Sequence, residues 1–447
     1  MKLGTYRMLI LVVGDFVLLW LGLLLTLFIR HGITQFDKAL FPLHIVPFSI
    51  VFGLWIVIFY IAGLYDVKSV RGYPIMLKLL SSAMVAGGVI AIMLFYFVPA
   101  FTITPRTNLL LDILTSFILL AAWRALFIFA NRNTSKIRVM LLGQSPDIVE
   151  IEETISNIPE LGYEIVSRFE RIPNDIARHI NPKTTDIVVA PREAQSHSVL
   201  VQALYESLGK RLYFVDATDF YEQLHGKIPV SLISKMWFLE NIAETEKTFF
   251  EASKRAIDVA FAFILGAVAL ATLPFVALAI KLDSSGPLFI RQKRVGKLGR
   301  VYTHYKYRTM FALGPDGQAE LNGVEWTQKG DARVTRVGRF LRSTRIDELP
   351  QIWNIIKGEL SFVGPRPERP EFVESLRKEI PYYDVRHLVR PGLSGWAQIN
   401  PPYYYSSLED TYLKLQYDLF YIKNRDLGID LSIALKTLLV ILSRQGR

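Results

Sequence analysis

No cysteine occurs among the 447 residues. Disulfides, thiolate nucleophiles, cysteine zinc sites and iron–sulfur clusters are thereby excluded, and the absence fits a reducing compartment. Charge is also sparse. Charged residues make up 21% against 51% apolar, and mean hydropathy is +0.28. This rules out intrinsic disorder and points to membrane-embedded parts. The charge that is present leans one way, with 51 Lys and Arg against 41 Asp and Glu, or +10 at pH 7. A basic balance suits nucleic acid, an anionic membrane face or phosphorylated substrates, and the hydropathy favours the last two. No nucleic-acid partner is expected. At about 150 residues per domain, the length implies roughly three units.

Four apolar runs fill the first 135 residues: Met8–Ile29, Leu43–Leu64, Ile75–Val98 and Leu109–Ala130. Each is near the roughly 20 residues that span about 30 Å of hydrocarbon. The first run is too long for a cleaved signal peptide, and no small-residue cleavage site follows it. Lys2, Arg7, Lys68, Arg71, Lys78, Arg124, Arg132, Lys136 and Arg138 flank one side of the predicted bundle; Arg30, Lys38 and Arg106 flank the other. Nine against three predicts that both ends of the bundle face the cytoplasm. Asp15 lies within the first span, where a charge costs about 2.5–3.5 kcal/mol. It is either a site or a carboxyl packed inside the bundle.

From Lys136 the composition changes. Ile137–Gly143 reads as a buried strand ending in a glycine turn, with further strand-like runs at Asp186–Ala190 and Arg211–Val215. A small parallel α/β domain over 136–245 follows. Its first turn, Gly143-Gln144-Ser145-Pro146, lacks the second glycine of G-x-G-x-x-G, which lets a backbone approach a pyrophosphate. A structural or regulatory spacer is favoured over a nucleotide site.

Asp258–Ile280 is apolar and long enough to span, yet Lys254 and Arg255 precede it while Lys281, Arg291, Lys293 and Arg294 follow. Basic residues on both sides favour both ends in the cytoplasm. Pro274 would kink a helix there. A helix that enters, bends and returns reconciles these facts; a fifth span is the alternative. Lys254 and Asp258, four apart on one face, are placed for an ion pair.

The last third carries charge and glycine. Arg333, Arg336, Arg339, Arg342 and Arg345 recur every third residue, as phosphate-matching forks, lipid-headgroup contacts or a solvated face. Asp347-Glu348-Leu349-Pro350 follows. Proline favours the first helical position, which would place both carboxylates at a helix N-terminus. One could attack phosphorus while the other holds a metal, though adjacent acids there are also ordinary caps. In Gly364-Pro365-Arg366-Pro367-Glu368 two prolines stiffen the turn around Arg366. Arg390-Pro391-Gly392-Leu393-Ser394-Gly395-Trp396-Ala397-Gln398 is a second rigid turn. Pro401–Tyr405 and Tyr382-Tyr383 suit an interfacial aromatic belt as well as a core, and Leu427–Leu442 suits a helix on the membrane surface.

Taken in order, these strings resemble the bacterial sugar transferases, the polyprenyl-phosphate hexose-1-phosphate transferases. They are Lys254-Arg255-x-x-Asp258, Lys281–Pro287 with Arg291-Gln292, Lys306-Tyr307-Arg308-Thr309-Met310, Thr335–Arg342, Asp347–Gln351, Gly364–Glu368 and Arg390–Gln398. They cover about the last 195 residues; the four spans and the α/β segment look like the family's long form. Leu270-Ala271 stands where the family usually has Ser-Pro, and Pro274 comes about one turn later.

The resemblance implies transfer of a sugar-1-phosphate from a UDP-sugar to undecaprenyl phosphate, with release of UMP. The transfer would pass through a phosphosugar intermediate on the enzyme and use Mg2+, as a first membrane step of exopolysaccharide, capsule or O-antigen synthesis. Asp347 would be the nucleophile, Glu348 the metal ligand and Arg366 a phosphate ligand, with Lys306 and Arg308 lining the site. Arg345, Glu368, Arg390 and Gln398 complete the substrate-binding candidates. The implied fold is a membrane protein of mixed α and α/β class. It has a four-helix transmembrane bundle (1–135), a small Rossmann-like α/β domain (136–245), a re-entrant helix breaking at Pro274 (246–285) and a mainly helical α+β catalytic domain (286–447). That domain would face the cytoplasm at the bacterial inner membrane, among membrane lipids. A homodimer stays open. Two rivals remain. A nucleotide-sugar dehydratase would use the Tyr302-x-x-x-Lys306 spacing, but Val301–Met310 alternates like a strand. A non-catalytic sensor would not need Asp347, Glu348 and Arg366. A GT-A glycosyltransferase lacks its Asp-x-Asp here.

Overall fold

The computed structural model describes residues 2–32, 40–65, 73–97, 106–132, 136–210, 212–242, 247–312, 314, 331, 333–400 and 407–442. Lys38, Lys68, Arg71 and the Pro401–Tyr405 aromatic run lie outside them. The chain divides into two units, 1–144 with 148–215, and 145–147 with 216–447.

The first unit opens with α1 (Lys2–His31), α2 (Leu40–Ile61), α3 (Tyr73–Phe97) and α4 (Arg106–Arg132). All four are long and apolar enough to cross a membrane, as is a fifth helix described below. Helix α1 packs on α4 and α2, and α3 packs on α2 and α4. Leu19, Leu23, Leu27, Phe48, Phe52 and Phe59 are fully buried between them. Helices α1 and α4 approach closely because Gly14 and Gly22 leave no room for a side chain against Trp123 and Ser116. Asp15 is a packed carboxyl, closed off from solvent and ion-paired to Arg124, with the Tyr65 hydroxyl donating to it at 2.9 Å.

The unit continues with β1 (Ile137–Leu142), α5 (Pro146–Asn157), β2 (Tyr163–Phe169), α6 (Ile176–His179), β3 (Ile187–Ala190), α7 (Ser198–Glu206) and β4 (Tyr213–Asp216). The strands form one sheet in the order β2-β1-β3-β4, with β1 parallel to both neighbours. Ile148 and Pro191 press on Gly143 at φ +119°, so even a Cβ would not fit at that turn.

The second unit holds α8 (Ala217–His225), α9 (Lys235–Asn241), α10 (Thr248–Asp283), β5 (Phe289–Val295), β6 (Val301–Tyr307), α11 (Arg336–Thr344), α12 (Ile352–Lys357), β7 (Ser361–Val363), α13 (Pro370–Glu379), β8 (Gly392–Ser394), α14 (Trp396–Ile399), α15 (Leu408–Asn424) and α16 (Leu427–Leu442). Residues 216–242 group here, although the sequence reading carries them with the α/β segment. Their Ile228, Val230, Ile233 and Trp237 share a core with Val373, Leu376, Tyr383, Leu415 and Leu419. Tyr383 therefore packs inside, not in an interfacial belt.

Helix α10 runs unbroken for 36 residues, with Pro274 inside it. One face meets the unit along its whole length. Ala262 packs with Ile352, Ile355 and Leu360, and Val276 and Ile280 pack with Tyr307 and Leu341. The outward face, with Phe263, Ile264, Leu270, Phe275 and Leu278, is apolar and exposed. The i,i+4 pair expected on this helix does not form. Lys254 pairs with Asp430, and Asp258 accepts from the Ser361 hydroxyl at 3.1 Å and the Phe362 amide at 3.2 Å. Buried polar groups take the partner that packing supplies, and α16 and β7 lie against this face.

Candidate active site

Strands β5 and β6 form an antiparallel hairpin. Strand side chains alternate between faces, so Tyr302, His304 and Lys306 share one face. Tyr302 and His304 are buried, and the Tyr302 hydroxyl lies 3.3 Å from His304 Nδ1. Asn354, fully buried on α12, ties that helix to the strand: its amide donates to Thr303 O at 2.7 Å and its Oδ1 accepts from Tyr305 N at 3.3 Å.

The acidic pair does not start an α-helix. It lies in the first turn of a 3-10 segment, Ile346–Gln351, that carries Pro350 inside and leads into α12. Thr335 caps the start of α11, Arg345 ends that helix in the left-handed region, φ +58°, and the 3-10 segment begins directly after it. That turn brings Arg345 and the two acids to β6. Asp347 is 3% exposed and Glu348 8%. The arginine ladder separates, since a three-residue step drifts round a 3.6-residue helix. Arg336 and Arg339 face solvent, Arg342 donates to Thr309 Oγ1 at 2.8 Å and lies within electrostatic reach of Asp347, Arg333 pairs with Asp331, and Arg345 reaches Glu348.

Three cations converge on one oxygen of Glu348. Lys306 Nζ donates to Oε1 at 3.1 Å, Arg366 Nη2 donates at 3.2 Å, and Arg345 Nη1 lies at 3.6 Å. Burial alone would raise the Glu348 pKa, but these three cations outweigh it and hold the group well below its ordinary value. Burial pushes Lys306 down to about 8 against the pull of Glu348. Arg366 is raised, because Glu348 and Glu368 outweigh its burial. Three positive side chains meet the single charge of Glu348, and Asp347 beside it has Arg342 within electrostatic reach, an excess of positive charge suited to an anionic ligand.

Arg366 is presented by a stiff turn. Gly364 and Gly392 back onto each other so closely that a side chain at 392 would collide with the Gly364 backbone. Gly364 N donates to Ser394 O at 2.8 Å and Gly392 N to Pro365 O at 3.0 Å.

The remaining sequence candidates are placed elsewhere in the unit. Arg308 is buried and donates to the carbonyls of Ser284, at 2.6 Å, and Ser285, closing the end of α10. Glu368 pairs with Lys414, with Arg294 at 3.8 Å. Gln398 braces its own turn through Leu393 O at 3.3 Å. Arg390 is half-buried, and its Nη1 has no hydrogen-bond partner among the described residues. Sequence reading missed the charges beneath the turn: Arg294, Arg386, Lys414 and Asp418. Lys414 and Asp418 sit on α15 four residues apart, and buried charge on a helix face is the one signal that marks them.

A Mg2+ ion fits this donor set. Among the described residues no group of three or more His, Asp or Glu could cage a metal alone. Mg2+ takes one or two carboxylates and completes its shell from substrate phosphates and water. All three cations contact Glu348 Oε1, and among the described residues no hydrogen bond falls on Oε2.

Comparison with known proteins covers both parts of the chain. A family model described as bacterial sugar transferase matches residues 249–444. The UDP-N-acetylgalactosamine-undecaprenyl-phosphate N-acetylgalactosaminephosphotransferase of Aeromonas hydrophila is 44% identical over 193 residues, 43% of this chain and 44% of that protein. The UDP-glucose:undecaprenyl-phosphate glucose-1-phosphate transferase of Klebsiella pneumoniae is 31% identical over 339 residues, 70% of each chain. The Escherichia coli (strain K12) protein of the same description is 38% identical over 185 residues, 41% of this chain and 39% of its own. The match thus spans less than half the length of the Aeromonas relative and more than two thirds of the Klebsiella one.

Proposed function

We propose that this chain, which belongs to the bacterial sugar transferase family, moves a sugar-1-phosphate from a UDP-sugar to undecaprenyl phosphate and releases UMP. The convergence of Lys306, Arg345 and Arg366 on Glu348, beside buried Asp347, carries this reading. An Asp347 carboxylate oxygen attacks the sugar-bearing phosphorus, and the bond from that phosphorus to the UMP oxygen breaks. An oxygen of the lipid phosphate then attacks the same phosphorus and the Asp347 carboxylate leaves. Two displacements spare the two large substrates from meeting in one complex. Arg366 and Lys306 bind phosphate oxygens, Arg345 helps hold the Glu348 carboxylate, and the burial of the site limits water as a competing acceptor. Mg2+, held by Glu348 and substrate oxygens, would neutralise diphosphate charge.

The acceptor lies in the membrane, so the site must lie at its surface. Both ends of α10 are held by one polar unit, which supports both of them lying on one side of the membrane, although the helix does not break at Pro274 as the sequence reading expects. Arg255 donates to Ile355 O and Ile356 O near the start, while Arg308 and the Val337 amide hold the last turn, the latter donating to Asp283 at 2.9 Å. A straight crossing would put those ends on opposite sides of about 30 Å of hydrocarbon. With the basic-residue bias this faces the unit to the cytoplasm.

The test is UMP release by purified protein in detergent, with undecaprenyl phosphate, Mg2+ and a panel of UDP-sugars, and with Asp347→Asn as the blank. Release with one donor, dependent on lipid and lost in the variant, is the expected result. Activity of Asp347→Asn above background rejects the covalent route.

A further inference from the structure

The carbonyls of Pro365, Arg366, Pro367 and Glu368 in the turn that presents Arg366 each accept a hydrogen bond, and the donor to the Arg366 carbonyl is a buried arginine. Arg386 is 3% exposed and lies in the 3-10 segment Tyr383–Leu388. Its guanidinium is committed in three directions: Nη1 donates to the Tyr383 hydroxyl at 2.7 Å, and Nη2 donates to Arg366 O at 2.8 Å and to Asp418 Oδ2 at 2.9 Å. It also lies over the Tyr383 ring, 5.1 Å from the centroid. None of these contacts points at a substrate. Around it, Arg294 donates to Pro367 O at 3.1 Å, Val295 N donates to Glu368 O at 2.9 Å, and Lys414 holds the Glu368 carboxylate.

We propose that Arg386, held by Asp418, is a positioning residue for Arg366: it clamps the carbonyl of Arg366 so that its side chain meets phosphate in a fixed orientation. The claim rests on the reading of Arg366 as a phosphate ligand. A planar fork suits the task better than a lysine, since one rigid group must satisfy a hydroxyl, a carbonyl and a carboxylate at set angles. The Arg386–Asp418 pair is neutral as a whole, so it fixes geometry without adding net charge beneath the site. Neighbouring prolines remove two amide donors from the turn, leaving carbonyls as its anchoring points. The Arg366 carbonyl is the central one.

Removing Arg386 alone strands buried Asp418 and risks misfolding. The test therefore uses the paired Arg386→Gln/Asp418→Asn variant of the full chain. The first readout is hydrogen exchange at the Gly364 and Gly392 amides, which donate to Ser394 O and Pro365 O, with α12 as the internal reference. Exchange there should rise about tenfold while α12 stays unchanged. The second is UMP release in a cycle with Arg366→Gln. The paired variant should raise the donor KM about tenfold in the parent and change it less than about twofold once Arg366 is gone. Unchanged exchange in the turn, or losses that multiply across the cycle, would overturn the proposal. If the parent chain releases no UMP with any donor, the function reading fails, and the exchange readout still decides whether Arg386 holds the turn.

Discussion

Asp15 and Glu348 are both carboxylates removed from water, yet their surroundings are opposite. Asp15 meets one cation, Arg124, and one hydroxyl, Tyr65, and Arg124 gives its second amino group to Leu64 O at 2.6 Å. Charge there is balanced within the cluster. Glu348 meets three cations on a single oxygen. A balanced buried pair holds helices together and requires nothing more. An unbalanced one is complete only when an anion or a metal–anion pair arrives. Buried charge alone does not mark a site; surplus charge of one sign around a buried acid does.

The broadest way to break the comparison is to cut between the two regions. A chain starting at 216 keeps the Glu348 cluster and its whole core, and should fold and release UMP in detergent. A chain starting at 246 loses Ile228, Val230, Ile233 and Trp237 from that core. Each buried side chain of this kind is worth about 1.5–3 kcal/mol, so the shorter fragment should aggregate or melt without cooperativity. The family match begins only at 249, so this boundary is visible from packing alone. Circular dichroism melts and UMP release from the two fragments check it. Equal behaviour would remove 216–242 from the catalytic unit.

Asp15→Asn should sharpen the other side. It leaves Arg124 charged and unpaired, at a cost of about 3–5 kcal/mol. Thermal unfolding in detergent should register the loss while turnover per folded molecule stays at the parent value. The apolar pair Asp15→Leu with Arg124→Met should recover most of the stability. A fall in turnover for that pair would make Asp15 functional and sink the distinction.

Glu348→Gln tests the surplus directly. Three cations would then surround a neutral amide, so transfer should fall about 10²–10³-fold. The same change should tighten binding of UMP, because the internal counter-charge is gone. Titration calorimetry with UMP separates the two effects. Weaker UMP binding would mean that the cations serve Glu348 rather than the substrate.

These contrasts explain what the sequence could and could not reveal. Asp347, Glu348, Lys306 and Arg366 are legible because each sits in a local string whose chemistry is self-evident. Helix α16 is legible to its ends, Leu427–Leu442, because one apolar run defines it. The convergence is not legible: Lys306 and Glu348 are 42 residues apart, and Arg386 and Asp418 are 32 apart. Periodicity sees only neighbours on one element, so it points Lys254 to Asp258 and not to Asp430, 176 residues away. Strand β2 is illegible for a related reason. It is an edge strand, and Glu164, Ser167 and Arg168 dilute its apolar pattern. Pro350 signalled a helix start, but the chain turns through a 3-10 segment first, because Arg345 must swing back toward the acids.

The smallest effect concerns pH, and it tests whether the surplus charge is adjustable. Lys306 loses its proton near pH 8 in the folded protein, below its ordinary value of 10.5, because burial disfavours the ammonium. Below that pH the cluster has three cations; above it, two. Since an anionic donor binds the cationic form, kcat/KM should fall about tenfold between pH 7 and 9. Bound donor phosphate favours the ammonium, so kcat at saturating donor should fall less and at higher pH than kcat/KM. Lys306→Arg supplies a cation that stays charged throughout, and its bulkier fork should lower activity at neutral pH. Its profile should nevertheless be flat across the same range. An alkaline fall that persists unchanged in Lys306→Arg would assign the titration to another group and leave the charge of the Glu348 cluster constant across that range.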